Sequence, residues 1–193
     1  MPSPSDSLAL LQRSIDQLGA TIARVRPEQA TRPTPCAAFD VRALVNHVLY
    51  DLRQFERMLT GADPGPPDAD LLGSQDWSAA YRADADRFLA TWRERGADGT
   101  ITTRLGEFPA TWAVGQHMTN LTVHAWDLAR ATGQSTELDP QVGEESLAWG
   151  RANLKPEFRR PGTFGPEVAV PESAPVYDRL AGWFGRDPAW SQR

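Results

Sequence analysis

Cysteine is nearly absent from this 193-residue sequence. Cys36 stands alone, so neither an internal disulfide nor a cysteine-rich zinc site is available. Lysine is as scarce, with Lys155 beside 19 arginines, and histidine occurs three times, at His47, His117 and His124. There is no basic excess: 20 basic against 25 acidic residues leave a net charge of -5. That balance argues against nucleic acid as a partner, because a phosphate backbone needs a cationic face. No apolar run approaches a membrane span, and the opening Met1-Pro2-Ser3-Pro4 has neither the basic region nor the apolar stretch of a secretory leader. The expectation is a cytoplasmic protein with no membrane partner.

What is present is enough apolar material, 40% of residues, for a real core in one domain spanning 1–193. Leu8, Leu11, Ile15, Leu18, Ile22 and Val25 recur at steps of three and four, which predicts a first helix. Ser5 or Asp6 is its expected cap and Pro27 its stop. Asp40 caps a second helix reaching about Thr60, with Gly61 behind it. A loop over 62–73 leads to a third helix, 76–95, anchored by Trp77, Tyr81, Phe88 and Trp92. Residues 100–109 are the one stretch of strand material, enough for a small hairpin but not for a sheet core. A fourth helix covers 111–132 before Gly133, and a fifth starts at Asp139-Pro140 and ends near Leu154. The remainder, 155–193, reads as an irregular extension with a short helix, about 175–184, packed on the rest. The fold class is all-α, a four-helix bundle with one or two extra short helices and at most a β-hairpin.

His47 lies at the edge of the second helix's apolar stripe. On the fourth helix His117 and His124 are seven residues apart, about 20° around the axis and two turns along it. Asn120 falls between them and Asp127 continues the line. Histidines on facing helices are how bundles hold a metal, and neutral imidazole suits zinc, nickel or iron. Asp127 reads either as an outer partner that orients a ligating histidine or as the mate of an arginine such as Arg42 or Arg130. From spacing alone, a half-buried histidine is more often a hydrogen-bonded core residue than a ligand. Cys36, just before the Asp40 cap, reads as a structural thiol or one with altered reactivity. Trp112 and Trp126 are expected in the core. Asp51 and Glu56 are expected to face solvent or pair with Arg53 and Arg57, and Arg159 and Arg160 to meet an anion or solvent.

Three segments carry a resemblance. TPCAAFDVRALVNHVL (34–49), LTVHAWDLARATGQ (121–134) and FGPEVAVPESAPVYDRLAGWFGRDPAW (164–190) resemble the actinobacterial DinB-like family, similar to the N-terminal domain of mycothiol-dependent maleylpyruvate isomerase. The resemblance implies a DinB-like bundle with a divalent metal between helices two and four, His47 and His124 being ligands. It puts the third ligand at Asn120, a neutral side chain where an acid or histidine is usual, with His117 as a substitute. It further implies mycothiol or a similar small thiol as cofactor or substrate, in a transferase or isomerase reaction. That isomerase carries a further C-terminal domain, for which a chain ending at Arg193 leaves no room, so its own reaction is not expected here. Two other readings stand beside this one. A bundle without metal would be a small-molecule binding protein or a biosynthetic scaffold or cyclase, and a homodimeric interaction module would use some of the seven tryptophans as its interface.

Overall fold

The first, second, third and fifth helices begin where a side chain accepts from a free backbone N–H, whereas the fourth starts behind Pro109 with no side-chain cap, and the caps at Asp40 and Asp139 are where the sequence puts them. Asp40 accepts from the Ala43 N–H at 2.8 Å, Asp76 from Ala79 at 2.7 Å and Asp139 from Gln141 at 3.1 Å. The first helix differs. Ser3, not Ser5 or Asp6, is its cap, because Pro4 occupies the first helical position and the acceptor must precede it.

The computed structural model describes residues 3–61, 65–66, 69–103, 106–159 and 164–191. Its elements in order are α1 (Pro4–Ile22), α2 (Val41–Thr60), α3 (Trp77–Arg95), β1 (Thr100–Thr103), β2 (Gly106–Pro109), α4 (Ala110–Thr132), α5 (Pro140–Asn153) and α6 (Val176–Trp183). The strands pair antiparallel, Ile101 opposite Phe108, and hand the chain straight into α4. Single 3-10 turns sit at Pro27–Gln29, at the expected stop of the first helix, and at Pro156–Phe158, inside the segment expected to be irregular.

Helices α1 to α4 pack as a four-helix bundle, with α1 against α4 and α2 against α3, closed by α1–α3 and α2–α4 contacts. Leu11, Leu18, Leu44, Leu52, Phe88 and Leu121 are fully buried at its centre. On the other side of α4, α5 and α6 lie over a second apolar cluster containing Val123, Trp126, Leu147 and Phe184. Helix α4 therefore runs between two cores and is buried on nearly all sides. Any polar residue it carries must find a partner or a cavity.

The segment after α5 is fastened rather than loose. The Val168 N–H donates to the Gly182 carbonyl at 2.9 Å, and Arg130 on α4 donates to the carbonyls of Pro188 and Trp190 at 2.7 Å each. Arg159, considered above as an anion contact, donates instead to the carbonyls of Gly165 and Trp183. Arg160 lies outside the described residues. Gly185 crosses Gly165 so closely that an added Cβ would lie 2.7 Å from the Gly165 Cα. Among the described residues no helix is long and apolar enough to cross a membrane.

Candidate functional site

Two of the three histidines meet. His47 on α2 and His124 on α4 stand edge to face, ring centroids 5.3 Å apart. The fourfold spacing of α2 places Asp51 one turn beyond His47 on the same face, and its Oδ2 lies 3.2 Å from His47 Nε2. His47, Asp51 and His124 each present a donor atom within 4.8 Å of the others. Phe39 stacks on the outer face of His47 at 4.7 Å and fixes the ring.

The position expected to supply the third ligand does something else. Asn120 turns its Nδ2 to Asp51 Oδ2, donating at 2.9 Å. Its Oδ1 is buried with no hydrogen-bond partner. Asp51 is thus neither solvent-facing nor paired with an arginine. Glu56, the other acid of that expectation, accepts from Arg87 on α3. His117 stands apart from the cluster. It is fully buried, stacked on Phe55 at 4.0 Å, and its Nδ1 accepts from Trp92 Nε1 at 3.2 Å. Among the described residues it joins neither group of side chains able to share a cation.

His124 is oriented from behind. Asp127 accepts from its Nδ1 at 3.1 Å, which turns Nε2 toward the His47 side as the nitrogen a cation would meet. Asp127 is itself fully buried, and its counterion is Arg186, not Arg42 or Arg130: Nη2 donates to Oδ2 at 3.1 Å and Nε to Oδ1 at 3.3 Å. Burial alone would push the Asp127 carboxyl up. The Arg186 charge and the hydrogen bond from His124 outweigh it and hold the carboxyl below its usual range. Burial also pushes His47 down, with Asp51 opposing and His124 adding to the shift, so its imidazole is neutral at ordinary pH. Cys36 is half-buried, its sulfur within 4.8 Å of donor atoms of His124 and Asp127, and burial pushes its thiol up. That is the environment of an inert thiol.

The donor set suits a divalent cation. Two imidazoles and one carboxylate match catalytic zinc centres with three protein ligands, and also non-haem iron(II) sites. The 3.2 Å between His47 Nε2 and Asp51 Oδ2 is close to the roughly 3.3 Å that separates two ligands of one tetrahedral zinc. The cluster lies between two openings. On the α2 side is a polar hollow of about 470 Å³ that includes Arg42, Asn46, His47, Asp51 and Asp70. On the α4 side is a cavity of about 460 Å³ that includes Asn120 and His124 among aromatic side chains. Trp112, expected in the core, is half-buried in that cavity's wall, stacked on Phe108, whereas Trp126 is buried as expected.

Comparison with known proteins agrees with the segments singled out above. Two uncharacterized proteins from two strains of Mycobacterium tuberculosis are 38% identical to this chain over 182 residues, which is 94% of this chain and 98% of theirs. The crystal structure of the mycothiol-dependent maleylpyruvate isomerase superposes with a TM-score of 0.60 at 14% identity, covering 99% of this chain and 83% of that one. A histidine-to-alanine mutant of that isomerase gives 0.57 at 12% identity with the same coverage. At such identities the likeness is one of fold, and it takes in the irregular C-terminal segment as well as the bundle. Residues 11–129 match the sequence family described as the mycothiol maleylpyruvate isomerase N-terminal domain, and the chain belongs to that family.

Proposed function

We propose that the protein binds one divalent metal ion, zinc in first place with nickel or iron as alternatives, through His47, Asp51 and His124. We further propose that it directs a small thiol of the mycothiol kind onto an electrophile, as a transferase or isomerase. The observation that carries this reading is the convergence of those three donors, with His124 held from behind by the Asp127–Arg186 pair. A bound divalent cation would supply the positive charge that stabilises a thiol in its ionised form.

The protein's own groups do the rest. His47 and His124 contribute no charge, Asp51 contributes one negative charge, and Asp127 with Arg186 sums to zero. The assembled site is then left with one net positive charge, matched to a thiolate. Phe39 stacks on His47, and Phe55 lines the α4-side cavity together with His124. Asn120 holds the second donor position on Asp51 and fixes which way that carboxylate faces.

Elemental analysis of protein purified from metal-supplemented cells tests the reading. One metal per chain is expected, lost in His47→Ala and His124→Ala and retained in His117→Phe. Wild-type protein without stoichiometric metal would end it.

One observation favours the metal-free alternative, a small-molecule binding protein or scaffold. Asp51 Oδ2 already has both His47 Nε2 and Asn120 Nδ2 at hydrogen-bond distance, so its charge is partly satisfied without a cation. Asn120→Asp separates the two. A large gain in metal binding from a metal-free start supports the alternative, and a small change from a loaded start supports the metal site.

A further inference from the structure

The three donors divide between the two openings: His47 and Asp51 line the α2-side hollow, whereas His124 lines the α4-side cavity. The two spaces differ in chemistry. Arg42, Asn46, Tyr50 and Asp70 give the hollow hydrogen-bonding walls, suited to a thiol whose body is polar. The cavity is walled by Phe55, Trp112, Trp149, Phe158, Phe164 and Phe184, and Gln116, Thr119, Asn120 and His124 reach it from α4. At about 460 Å³ it has the size of pockets that enclose drug-sized molecules.

The rings of this wall are held in place. Trp112 stacks on Phe108 at 4.3 Å, and Phe164 meets Phe184 edge to face at 5.3 Å. Trp112 Nε1 donates to Asn153 Oδ1, Asn153 Nδ2 to the Trp149 carbonyl and Trp149 Nε1 to the Trp112 carbonyl, a closed circuit between α4 and α5. With their N–H groups spent inside the protein, the two indoles offer the cavity ring surface. Gly115 makes room for one of them, since a Cβ there would lie 2.3 Å from Trp149 Cδ1. Among the described residues Phe158 is the exposed large hydrophobic side chain, at 38%, and it stands in the same wall. An apolar ring seated here takes the surface of these side chains out of water together with its own, and ring packs favourably on ring.

We propose that the α4-side cavity is the subsite of the electrophile, and that this electrophile carries an apolar ring system seated among the aromatic side chains with its reacting end toward His124. The role of that molecule as the acceptor of the thiol rests on the metal-site reading above; the binding of its ring does not.

Calorimetric titration of the full chain, with metal stripped by a chelator and again with zinc added, compares naphthalenemethanol with benzyl alcohol, which carry one hydroxymethyl group on ring systems of different area. The naphthyl alcohol is expected to bind at least about tenfold tighter in both metal states. Phe158→Ser removes an exposed ring from the wall, and Gly115→Ala drives Trp149 from its place. Each is expected to weaken the naphthyl alcohol at least about threefold with the far-ultraviolet circular dichroism unchanged; if Gly115→Ala does not fold, Phe158→Ser decides. Equal affinity for the two alcohols, binding of neither, binding confined to the zinc-loaded chain, or full affinity in the folded variants overturns the proposal. Naphthohydroxamate, whose end group ligates zinc, is expected to gain at least about tenfold when zinc is added. No gain in a chain that elemental analysis shows to be loaded overturns the placement of the reacting end at His124. Ring binding in a chain that holds no zinc leaves the cavity assigned to an apolar ring, while the metal reading fails and the acceptor role with it.

Discussion

Asp127 sits between a buried cation, Arg186, and the His124 imidazole. Asp127→Asn keeps an acceptor for His124 but leaves Arg186 buried without its counter-charge. The expected result is a loss of about 3 kcal/mol in urea unfolding. A roughly tenfold weaker hold on zinc in chelator competition accompanies it. His117 gives a residue-scale prediction of another kind. Burial pushes its pKa from 6.5 down to about 3. Between those values the unfolded chain takes up a proton that the folded one refuses, so this share of stability is complete above the upper value and drains away as pH falls toward the lower. At about pH 5 the loss amounts to roughly 2 kcal/mol. His117→Phe keeps a ring against Phe55 and removes the titrating group. Its urea midpoint should therefore fall less than the wild type's on going from about pH 7.5 to about pH 5.

At the scale of elements, the C-terminal segment holds Arg186 in place through the crossing of Gly185 over Gly165. Gly185 has φ +78°, a conformation side chains disfavour, and its Cα face is filled by the Gly165 backbone. Gly185→Ala should cost about 2 kcal/mol or more in thermal unfolding and loosen zinc together with the Asp127 contact. Helix placement was largely legible in the sequence because caps and apolar stripes are local: Asp40, Asp76, Asp139 and Gly61 act within one turn of themselves. The site was legible only in half. His47 and His124 stood out by scarcity, whereas Asp51 looked like one more acid among surface charges, although its place four residues after His47 puts both on one helix face. The identity of Asp127's partner was not legible, since Arg186 is 59 residues away in the chain and only the folding of the C-terminal segment across α4 brings it there. His117 shared a stripe with His124, but periodicity says nothing of which neighbouring helix covers each turn, and α3 brings Trp92 to one while α2 brings His47 to the other.

For the molecule as a whole, metal and fold should be linked. The three donors come from α2 and α4, which the unfolded chain does not hold together, so the proposed zinc would bind the folded state in preference. At a free zinc concentration about a hundredfold above Kd the gain is roughly 2.7 kcal/mol. In a chain of this length that corresponds to a rise of about 5–10 °C in Tm. Chelator should reverse the rise, and His47→Ala should abolish it without lowering the Tm of the metal-free protein by a comparable amount.

The separation of Asp127 from Arg186 along the chain also has a consequence for biosynthesis. A ribosome delivers the aspartate 59 residues before the guanidinium that neutralises it. Until then, docking α4 between its two cores would bury a carboxylate that has the His124 N–H but no counter-charge, at a cost of several kcal/mol. The final docking of α4 is therefore expected to follow the synthesis of the last stretch rather than that of the first helices.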